Sequence, residues 1–543
     1  MSYGDGGDLL VTVLREQGAE VVFGVVSVHN MPLVEAVDRE LRFVPVRHEA
    51  AAVSAADAYA RVTGGLGTAL TSTGTGCGNA AGALIEAQSG GAAVLHVTGQ
   101  IDSGFLGLSR GVIHETRDQT GLLRAVSKHA VTVRPGADAG ALLRDAAARA
   151  RTPPRGPISV EWPIDLQYAA QPLTGPGAQI GIPSAPDSTQ LAAAAQLLGT
   201  ARRPVIWAGG GARGASEPLR NLVERLGAPV LSSNAGRGVL AEDHPQVVGN
   251  FAASATGREL LATADLLLSV GTHFRSNETG DYSLPIPAHH VQIDIDATAI
   301  GRVFPAEAGV VGAAEPVLTA LLGLLEDGSV EPGWREFGIA AAARARAELR
   351  TAIGPYSLIC DALRSRFPRE SVIARDVTIA SSQWGNRLLE MYAPSTNLFP
   401  LGGGIGQGLA MGIGGALARP NTPTLVIAGD GGLAVHLGEL GTLAQEHPWL
   451  VLCVFNDGGY GVLRNMQDAH RDRRSGVDLA TPDFAELAAA YRLPFQRVTA
   501  AADFPEALDK GLATRGPCVI EIDVNAVGPT PIPFTPPVTI PGS

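Results

Sequence analysis

Short apolar segments rich in β-branched residues alternate with longer Ala/Leu-rich segments along nearly the whole chain, and this alternation constrains the fold most. Strands buried in parallel sheets are short apolar runs, and helices connect one such strand to the next. The pattern therefore predicts an α/β protein of parallel sheets flanked by helices. The predicted strands, in chain order, are VVFGV, LRFVPVR, GTALTST, AAVLHVTG, PISVEWP, PVIWA, APVLSSN, ADLLLSVG, HHVQIDID, SVIARDV, TLVIAGDG, WLVLCVFND and CVIEIDV.

Two breaks divide this alternation into three similar parts. A chain of 543 residues is too long for one hydrophobic core, so several domains are expected. A Pro/Gly/Ser-rich stretch and the segment EDGSVEPGW form the breaks, and a charged Ala/Arg helix is predicted over 340–350. We predict three doubly wound domains at 1–165, 189–325 and 351–526, linkers at 166–188 and 326–350, and a Pro-rich tail at 527–543.

The composition excludes several classes of protein. Apolar residues make up 45% and charged residues 17%, which is typical of a globular chain and not of a disordered or coiled-coil one. The net charge of −12 would repel a nucleic-acid backbone on average. The four scattered cysteines form no metal-binding pair, which favours a reduced, cytoplasmic protein. The uncharged segment 398–418 contains too many glycines for a spanning helix, so no membrane association is expected.

The strongest chemical signal lies at the ends of two predicted strands. Asp430, within the motif GDG, follows TLVIA, and Asp457 follows WLVLCVFN. Ligands of parallel sheets bind at the carboxyl ends of the strands, where these carboxylates can converge. Two carboxylates, a backbone carbonyl and phosphate oxygens suit Mg²⁺, while Gly431 and Gly432 leave room for a diphosphate beside the backbone. A simple turn is the alternative for GDG alone.

With the spacing GDGGLAVHLGELGTLAQEHPWLVLCVFND, the chain resembles the thiamine diphosphate enzymes of the acetohydroxyacid synthase, pyruvate decarboxylase and benzoylformate decarboxylase type. The resemblance covers essentially the whole chain, in the order pyrimidine-binding, central and diphosphate-binding domain. It implies that Asp430, Asp457 and the carbonyl of Gly459 hold Mg²⁺, and that Tyr460 lies against the cofactor. Asp457 stands where Asn is commoner in the family.

A second motif, VPVRHEAAAVSAADAYARVTG, is similar to the family's strand–HEA–helix element. The resemblance implies that Glu49 contacts the pyrimidine ring of the cofactor and shares a proton with it, which activates the thiazolium carbon. Taken alone, Glu49 is better explained as an acidic residue at a helix start, stabilised by the helix dipole.

Two further segments match the family's cofactor loops. LGGGIGQGLAMGIGGALA resembles its GGxG loop, which implies that Ile405 supports the bent cofactor and that the Gly403 carbonyl accepts from the 4′-amino group. A tightly packed helix start explains the same glycines. ARDVTIASSQW occupies the position of a diphosphate-contacting loop, with Thr378 and Ile379 as the matched residues.

The resemblance also points to substrate residues. FGVVSVHNMP stands in place of the family's FGxPG loop but lacks the Pro-Gly pair, and it places Val28 and His29 near the reactive carbon. His114 and Glu115 stand where the synthases carry Phe-Gln; they could move protons or hold a cationic group, or form a surface ion pair. A further predicted apolar wall consists of Val462 and Met466.

The central domain carries AGGGARGASE after the strand PVIWA, which is not the GxGxxG dinucleotide fingerprint. The resemblance places FAD here in the acetohydroxyacid synthases and an empty pocket in many relatives; we expect no FAD.

The resemblance implies Mg²⁺-dependent decarboxylation of a 2-oxo acid followed by carboligation, as in acetolactate synthases. The alternatives are a non-ligating decarboxylase of a larger 2-oxo acid, including a cationic one, and a non-catalytic metabolite-binding paralogue. The resemblance further implies a homodimer or homotetramer with each site between subunits.

Overall fold

The computed structural model describes residues 3–181, 185–326 and 330–537. They form three domains, each built on a six-stranded sheet flanked by helices, as predicted. All strand pairs within the three sheets are parallel. The last residues of the predicted tail and three residues in each predicted linker lie outside the described residues.

The first domain has the sheet order β3-β2-β4-β5-β7-β6, and a separate antiparallel pair, β1 with β8, ties the start of the chain to the end of the domain. Its elements are β1 (Tyr3–Gly4), α1 (Gly6–Glu16), β2 (Val21–Gly24), α2 (Met31–Glu40), β3 (Arg42–Pro45), α3 (Glu49–Thr63), β4 (Gly67–Thr71), α4 (Thr75–Gly90), β5 (Val94–Gln100), α5 (Gln119–Val126), β6 (His129–Thr132), α6 (Ala139–Arg151), β7 (Ile158–Pro163), α7 (Ile164–Tyr168) and β8 (Gln171–Pro172).

The central domain has the order β11-β10-β9-β12-β13-β14. Its elements are α8 (Ser188–Thr200), β9 (Pro204–Ala208), α9 (Ser216–Leu226), β10 (Val230–Ser232), β11 (Val247–Gly249), α10 (Ala255–Thr263), β12 (Leu266–Val270), α11 (Ser276–Thr279), β13 (His289–Asp294), β14 (Ala308–Val311) and α12 (Ala314–Leu324).

The third domain has the order β16-β15-β17-β18-β20-β19. Helix α13 (Trp334–Ile353) precedes it and packs mainly on α10 and β11 of the central domain. The elements of the third domain itself are α14 (Tyr356–Arg366), β15 (Ile373–Arg375), β16 (Asn397–Leu398), α15 (Gly408–Ala418), β17 (Thr424–Gly429), α16 (Asp430–Val435), α17 (Glu439–Glu446), β18 (Leu450–Asn456), α18 (Gly461–His470), α19 (Phe484–Ala490), β19 (Phe495–Val498), α20 (Phe504–Ala513), β20 (Cys518–Asp523) and α21 (Val524–Val527).

Every strand predicted from the sequence is present, and the parallel strands that sequence analysis missed are all at sheet edges: β6, β11, β14, β16 and β19. These five strands are only two to four residues long, so none of them stands out in the sequence as an extended apolar run. The strand FQRV of β19, in addition, has only one buried residue.

Most of the segment 326–350, predicted to be a linker, belongs to the packed helix α13, which confirms the predicted Ala/Arg helix. Its Trp334 indole N–H donates to the Pro204 carbonyl at 2.8 Å, and its ring stacks on Phe337. No helix in the three described stretches is both long enough and apolar enough to cross a membrane.

The first and third domains meet along two helices, α3 and α15, and share one hydrophobic core. The Ser54 hydroxyl donates to Gln407 Oε1 at 3.2 Å, and Gly414 lies directly against the backbone of Ala55. A side chain at Gly414 would clash with that backbone, so glycine is needed for this close approach. The packing brings the start of α3 near the loop that precedes α15.

Candidate functional site

Asp430 and Asp457 meet at the carboxyl edge of the third sheet, as the sequence predicted. Asp430 begins α16 directly after β17, and Asp457 directly follows β18, its neighbour in the sheet. The backbone N–H of Asp457 donates to Asp430 Oδ1 at 3.2 Å. Asp430 is buried, with 1% of its surface exposed. The two carboxylates therefore lie next to each other, largely shielded from solvent.

Two carboxylates bring negative charge close together at this edge. Asp430 Oδ2 and Asp457 Oδ1 are buried and accept no hydrogen bond from the described residues. Burial raises the pKa of Asp430, and burial together with the charge of Asp430 raises the pKa of Asp457 to about 6. The nearest guanidinium nitrogen, of Arg464, lies 3.5 Å from Asp457 Oδ1. Buried carboxylate oxygens without partners are expected where a cation binds.

Backbone surrounds the two carboxylates closely. A Cβ at Gly431 would lie 2.6 Å from the Gly459 carbonyl oxygen and 2.9 Å from the ring of Tyr460. Gly459 itself has a φ of 146°, a conformation that favours glycine. Gly432 lies close to the carboxylate of Asp376. The glycines thus leave a bare backbone surface beside the carboxylates.

Thr378 and Ile379 lie at the same edge. A Cβ at Gly429, the last residue of β17, would be 2.8 Å from Thr378 Oγ1. A Cβ at Gly461, the first residue of α18, would be 3.0 Å from Ile379 Cδ1. The structure therefore brings both residues to the strand ends that carry Asp430 and Asp457.

Within the described ranges, no group of three or more His, Cys, Asp and Glu side chains is arranged to hold a metal ion. A cation at this edge would therefore depend on two carboxylates and backbone oxygen, completed by oxygens of a ligand or water. That set of hard oxygen donors is the one Mg²⁺ prefers, because it commonly retains ligand phosphates and water.

Glu49 is the first residue of α3 and is 9% exposed. Its Oε2 accepts from the Asn79 side chain at 3.0 Å, and a Cβ at Gly76 would lie 2.6 Å from its Oε1. Glu49 is therefore held by α4 of its own domain. Asn79 was missed in the sequence because nothing in α4 distinguishes it from an ordinary polar helix residue.

The loop before α15 carries Gly403, with a φ of 91°, and Ile405, whose side chain is 38% exposed. Asp376 accepts from the amides of Gly406 and Gly408, both at 3.0 Å. Asp376 was not predicted as a site residue, although it lies in the segment ARDVTIASSQW that the sequence singled out. Burial raises its pKa to about 6.

His29 and His114 are 85 residues apart in sequence but in contact in the structure. Their Nδ1 atoms are 3.3 Å apart and the rings meet edge to face. Burial, and then the neighbouring His114, lowers the pKa of His29. Two imidazoles in contact can pass a proton between them, which makes this pair a candidate acid–base unit.

The other predicted substrate residues are partly exposed or bonded only to their own loop. Val28 is 59% exposed, and Val462 and Met466 are half-buried in α18. One carboxylate oxygen of Glu115 accepts hydrogen bonds from the amides of Gly111 and Val112 at 2.8 and 3.1 Å, so Glu115 stabilises its own loop.

At the carboxyl edge of the central sheet lies a cavity of about 500 Å³. It is lined by Gly210 and Gly211 after β9 and by Asp294 and Asp296 after β13, among others. The absence of FAD stays a prediction.

Three family descriptions match the chain. They are "Thiamine pyrophosphate enzyme, N-terminal TPP binding domain" over 4–122, "Thiamine pyrophosphate enzyme, central domain" over 191–321, and "Thiamine pyrophosphate enzyme, C-terminal TPP binding domain" over 378–522. These ranges fall on the three domains in the expected order.

Several curated proteins are similar over almost their full length. A probable 2-ketoarginine decarboxylase of Pseudomonas aeruginosa is 33% identical over 95% of this chain and 93% of its own. A probable acetolactate synthase large subunit of Methanocaldococcus jannaschii is 27% identical over 98% and 93%. The acetolactate synthase of Mycobacterium bovis is 29% identical over 96% and 88%.

Proposed function

Because the chain belongs to the thiamine pyrophosphate enzyme family and is a 2-oxo acid decarboxylase or carboligase, we propose that it uses Mg²⁺ with its cofactor and releases an aldehyde from a 2-oxo acid. The non-catalytic alternative is thereby set aside. The observation that carries the proposal is that one buried carboxylate oxygen each of Asp430 and Asp457, at the edge of the third sheet, accepts no hydrogen bond from the described residues.

The metal and cofactor fit the residues present. Asp430, Asp457 and the Gly459 carbonyl would hold Mg²⁺, which offsets the burial of two negative charges and binds the diphosphate. The backbone that the neighbouring glycines leave bare gives the diphosphate access. The remaining cofactor contacts would come from Thr378, Ile379, Gly403, Ile405, Gly431, Gly432 and Tyr460.

When bound, the thiazolium ring supplies the electron sink that lets carbon dioxide leave a 2-oxo acid. Glu49 would move the proton that activates the cofactor, since its Oε2 is fixed by Asn79 while its Oε1 is not so held. The contacting imidazoles of His29 and His114 would then deliver the proton needed for aldehyde release.

This proton-handling pair makes simple decarboxylation the better-supported outcome, whereas sequence analysis placed carboligation first. The 33% identity to a probable 2-ketoarginine decarboxylase supports a larger, cationic substrate, which was among the original alternatives. Carboligation stays the second candidate, favoured by the similarity to acetolactate synthases. Val28, Val462 and Met466 would form the apolar part of the substrate pocket.

The test is carbon dioxide release from a panel of 2-oxo acids, cationic ones included, with products identified by mass spectrometry. We expect an aldehyde as the main product and activity that needs both thiamine diphosphate and Mg²⁺. EDTA during gel filtration should remove the activity, and adding both ligands should restore it. Activity in a verified ligand-free preparation would contradict the cofactor proposal, and a ligated hydroxyketone product would favour the second candidate.

We also propose a homodimer or homotetramer in which Glu49 acts on the cofactor held by the neighbouring subunit. The family resemblance supports this assembly. Mixed Glu49→Ala and Asp430→Ala subunits, each inactive alone, should then recover part of the activity after subunit exchange. No recovery despite demonstrated exchange would place each site within one chain.

A cytoplasmic location, based on four buried free cysteines, also stays a prediction.

A further inference from the structure

We propose that Glu86 is a positioning residue that holds the cofactor loop, residues 402–408, in its binding shape. Glu86 lies on α4 of the first domain, whereas the loop belongs to the third domain. The proposal rests on the cofactor site proposed above, because the loop matters only if Gly403 and Ile405 contact a cofactor.

The contact is direct and uses both oxygens of the carboxylate. Glu86 Oε2 accepts from the Gly402 amide at 2.7 Å, and Oε1 accepts from the Gly404 amide at 2.6 Å. Glu86 is only 4% exposed, so these hydrogen bonds to a charged acceptor are shielded from water. Such bonds are about twice as strong as neutral ones.

The loop sequence fits this carboxylate. A Cβ at Gly402 would lie 2.7 Å from Glu86 Oε1, and one at Gly404 would lie 2.9 Å from it, so a side chain at either position would push the carboxylate away. Gly403 stands between the two bonded amides with a φ of 91°. Binding of the flanking amides by one carboxylate fixes the direction of the Gly403 carbonyl.

A second buried carboxylate holds the other end of the same loop. Asp376, from the third domain itself, accepts from the amides of Gly406 and Gly408. Ile405 lies between the two bonded segments, and its side chain remains 38% exposed. Glu86 and Asp376 therefore immobilise the backbone on both sides of Ile405 and leave its side chain available to a ligand.

Helix α4 contributes a second polar contact from the same side. Asn79 lies seven residues before Glu86, close to two helical turns, so both side chains project from one face. Asn79 holds Glu49, and Glu86 holds the loop. The loop therefore takes its shape only where the first domain is docked on the third, and the loss of Glu86 should leave the Asn79–Glu49 contact intact.

The direct test is hydrogen–deuterium exchange of the 402–408 amides in the cofactor-free protein, which does not depend on activity. In Glu86→Gln the amide oxygen can accept one bond, but its NH₂ group opposes the second loop amide. We expect about 10-fold faster exchange in this segment, in line with the loss of a hydrogen bond to a charged group. The matched control is Glu161→Gln, because Glu161 is equally buried in the same domain and bonds Thr120, Thr132 and Gln100 but not the loop.

The functional readout is the dissociation constant of thiamine diphosphate at saturating Mg²⁺, measured by calorimetry. We expect about 10-fold weaker binding in Glu86→Gln, the size of effect typical for residues that orient a ligand-binding group. Glu161→Gln should bind like the wild type. Glu86→Asp keeps the charge at a shorter reach and should give intermediate values in both measurements; it carries the test if Glu86→Gln does not fold.

Two results would overturn the proposal. Unchanged exchange at 402–408 would mean that Glu86 does not hold the loop in solution. Faster exchange with unchanged cofactor affinity would mean that the loop is held but that its shape does not serve the cofactor. A wild-type protein that binds no thiamine diphosphate would instead refute the proposed cofactor site, and the exchange experiment would still decide whether Glu86 holds the loop.

Discussion

The carboxyl edges of the first and third sheets differ in the hydrogen-bond partners of their ionisable side chains. At the third sheet, one buried oxygen each of Asp430 and Asp457 accepts no hydrogen bond from the part of the chain that the structure describes. At the first sheet, Glu49 is bonded to Asn79, and the imidazoles of His29 and His114 contact each other. The third-sheet edge therefore lacks hydrogen-bond donors for part of its carboxylates, whereas each of these three side chains at the first-sheet edge has at least one contact from its own domain.

This difference suits the two edges to different tasks: the third-sheet edge to binding a cation, and the first-sheet edge to transferring protons. Unpartnered buried carboxylates cost stability, and a bound cation offsets that cost, so the third domain is built to gain stability from its ligand. Acid–base groups are instead useful when their protonation is controlled by fixed neighbours. The two edges should accordingly respond differently to mutation, and four substitutions test this, in decreasing order of effect.

Asp430→Asn should have the largest effect and should change stability in opposite directions with and without ligands. The ligand-free protein should become about 1 kcal/mol more stable, because a buried, repelled carboxylate is removed. The stabilisation by thiamine diphosphate with Mg²⁺, about 3 kcal/mol at 100-fold excess over the dissociation constant for the wild type, should disappear. Thermal denaturation with and without both ligands measures both quantities; a ligand-free variant less stable than the wild type would contradict the comparison.

Glu49→Gln should slow the reaction about 10²–10⁴-fold, the usual range for loss of a general acid or base. Because the side chain keeps its size, cofactor affinity should change far less than the rate. Deuterium exchange at C2 of the bound cofactor, in acid-quenched samples without substrate, isolates this step. Exchange as fast as in the wild type would reduce Glu49 to a helix-start residue.

His29→Gln should lower steady-state turnover by about 10²-fold, because one acid–base group is lost from a contacting pair. Carbon dioxide release in a single turnover should stay near the wild-type rate, since the pair is assigned to the later release of aldehyde. Rapid-quench measurement of carbon dioxide against aldehyde separates the two steps. Equal slowing of both would place His29 in the decarboxylation step instead.

His114→Gln should have the smallest effect, a rise in the pKa of His29. Burial and the charge of His114 both lower that pKa, so removing His114 leaves only burial and moves the pKa part of the way back towards its ordinary value. Protonation of His29 then occurs at higher pH than in the wild type. NMR titration of the His29 ring proton measures the change, and an unchanged pKa would mean that the rings are apart in solution.

The sequence predicted the third-domain edge better than the first. Asp430 and Asp457 each follow a buried strand directly, so strand prediction alone brings them together. The contact of His29 with His114 joins residues on two loops, and no periodicity reports such a contact. Glu86 was missed for a related reason. Its partners are backbone amides more than 300 residues away, and the sequence around Glu86 does not indicate such distant contacts.

The packing of α3 on α15 also has a consequence during synthesis of the chain. Ser54 and Gln407, which bond across this interface, are 353 residues apart. At about 5–20 residues per second, α15 is made roughly 20–70 s after α3. For that interval the alanine-rich face of α3 that packs on α15 has no partner within its own chain and stays exposed while the central domain is being made.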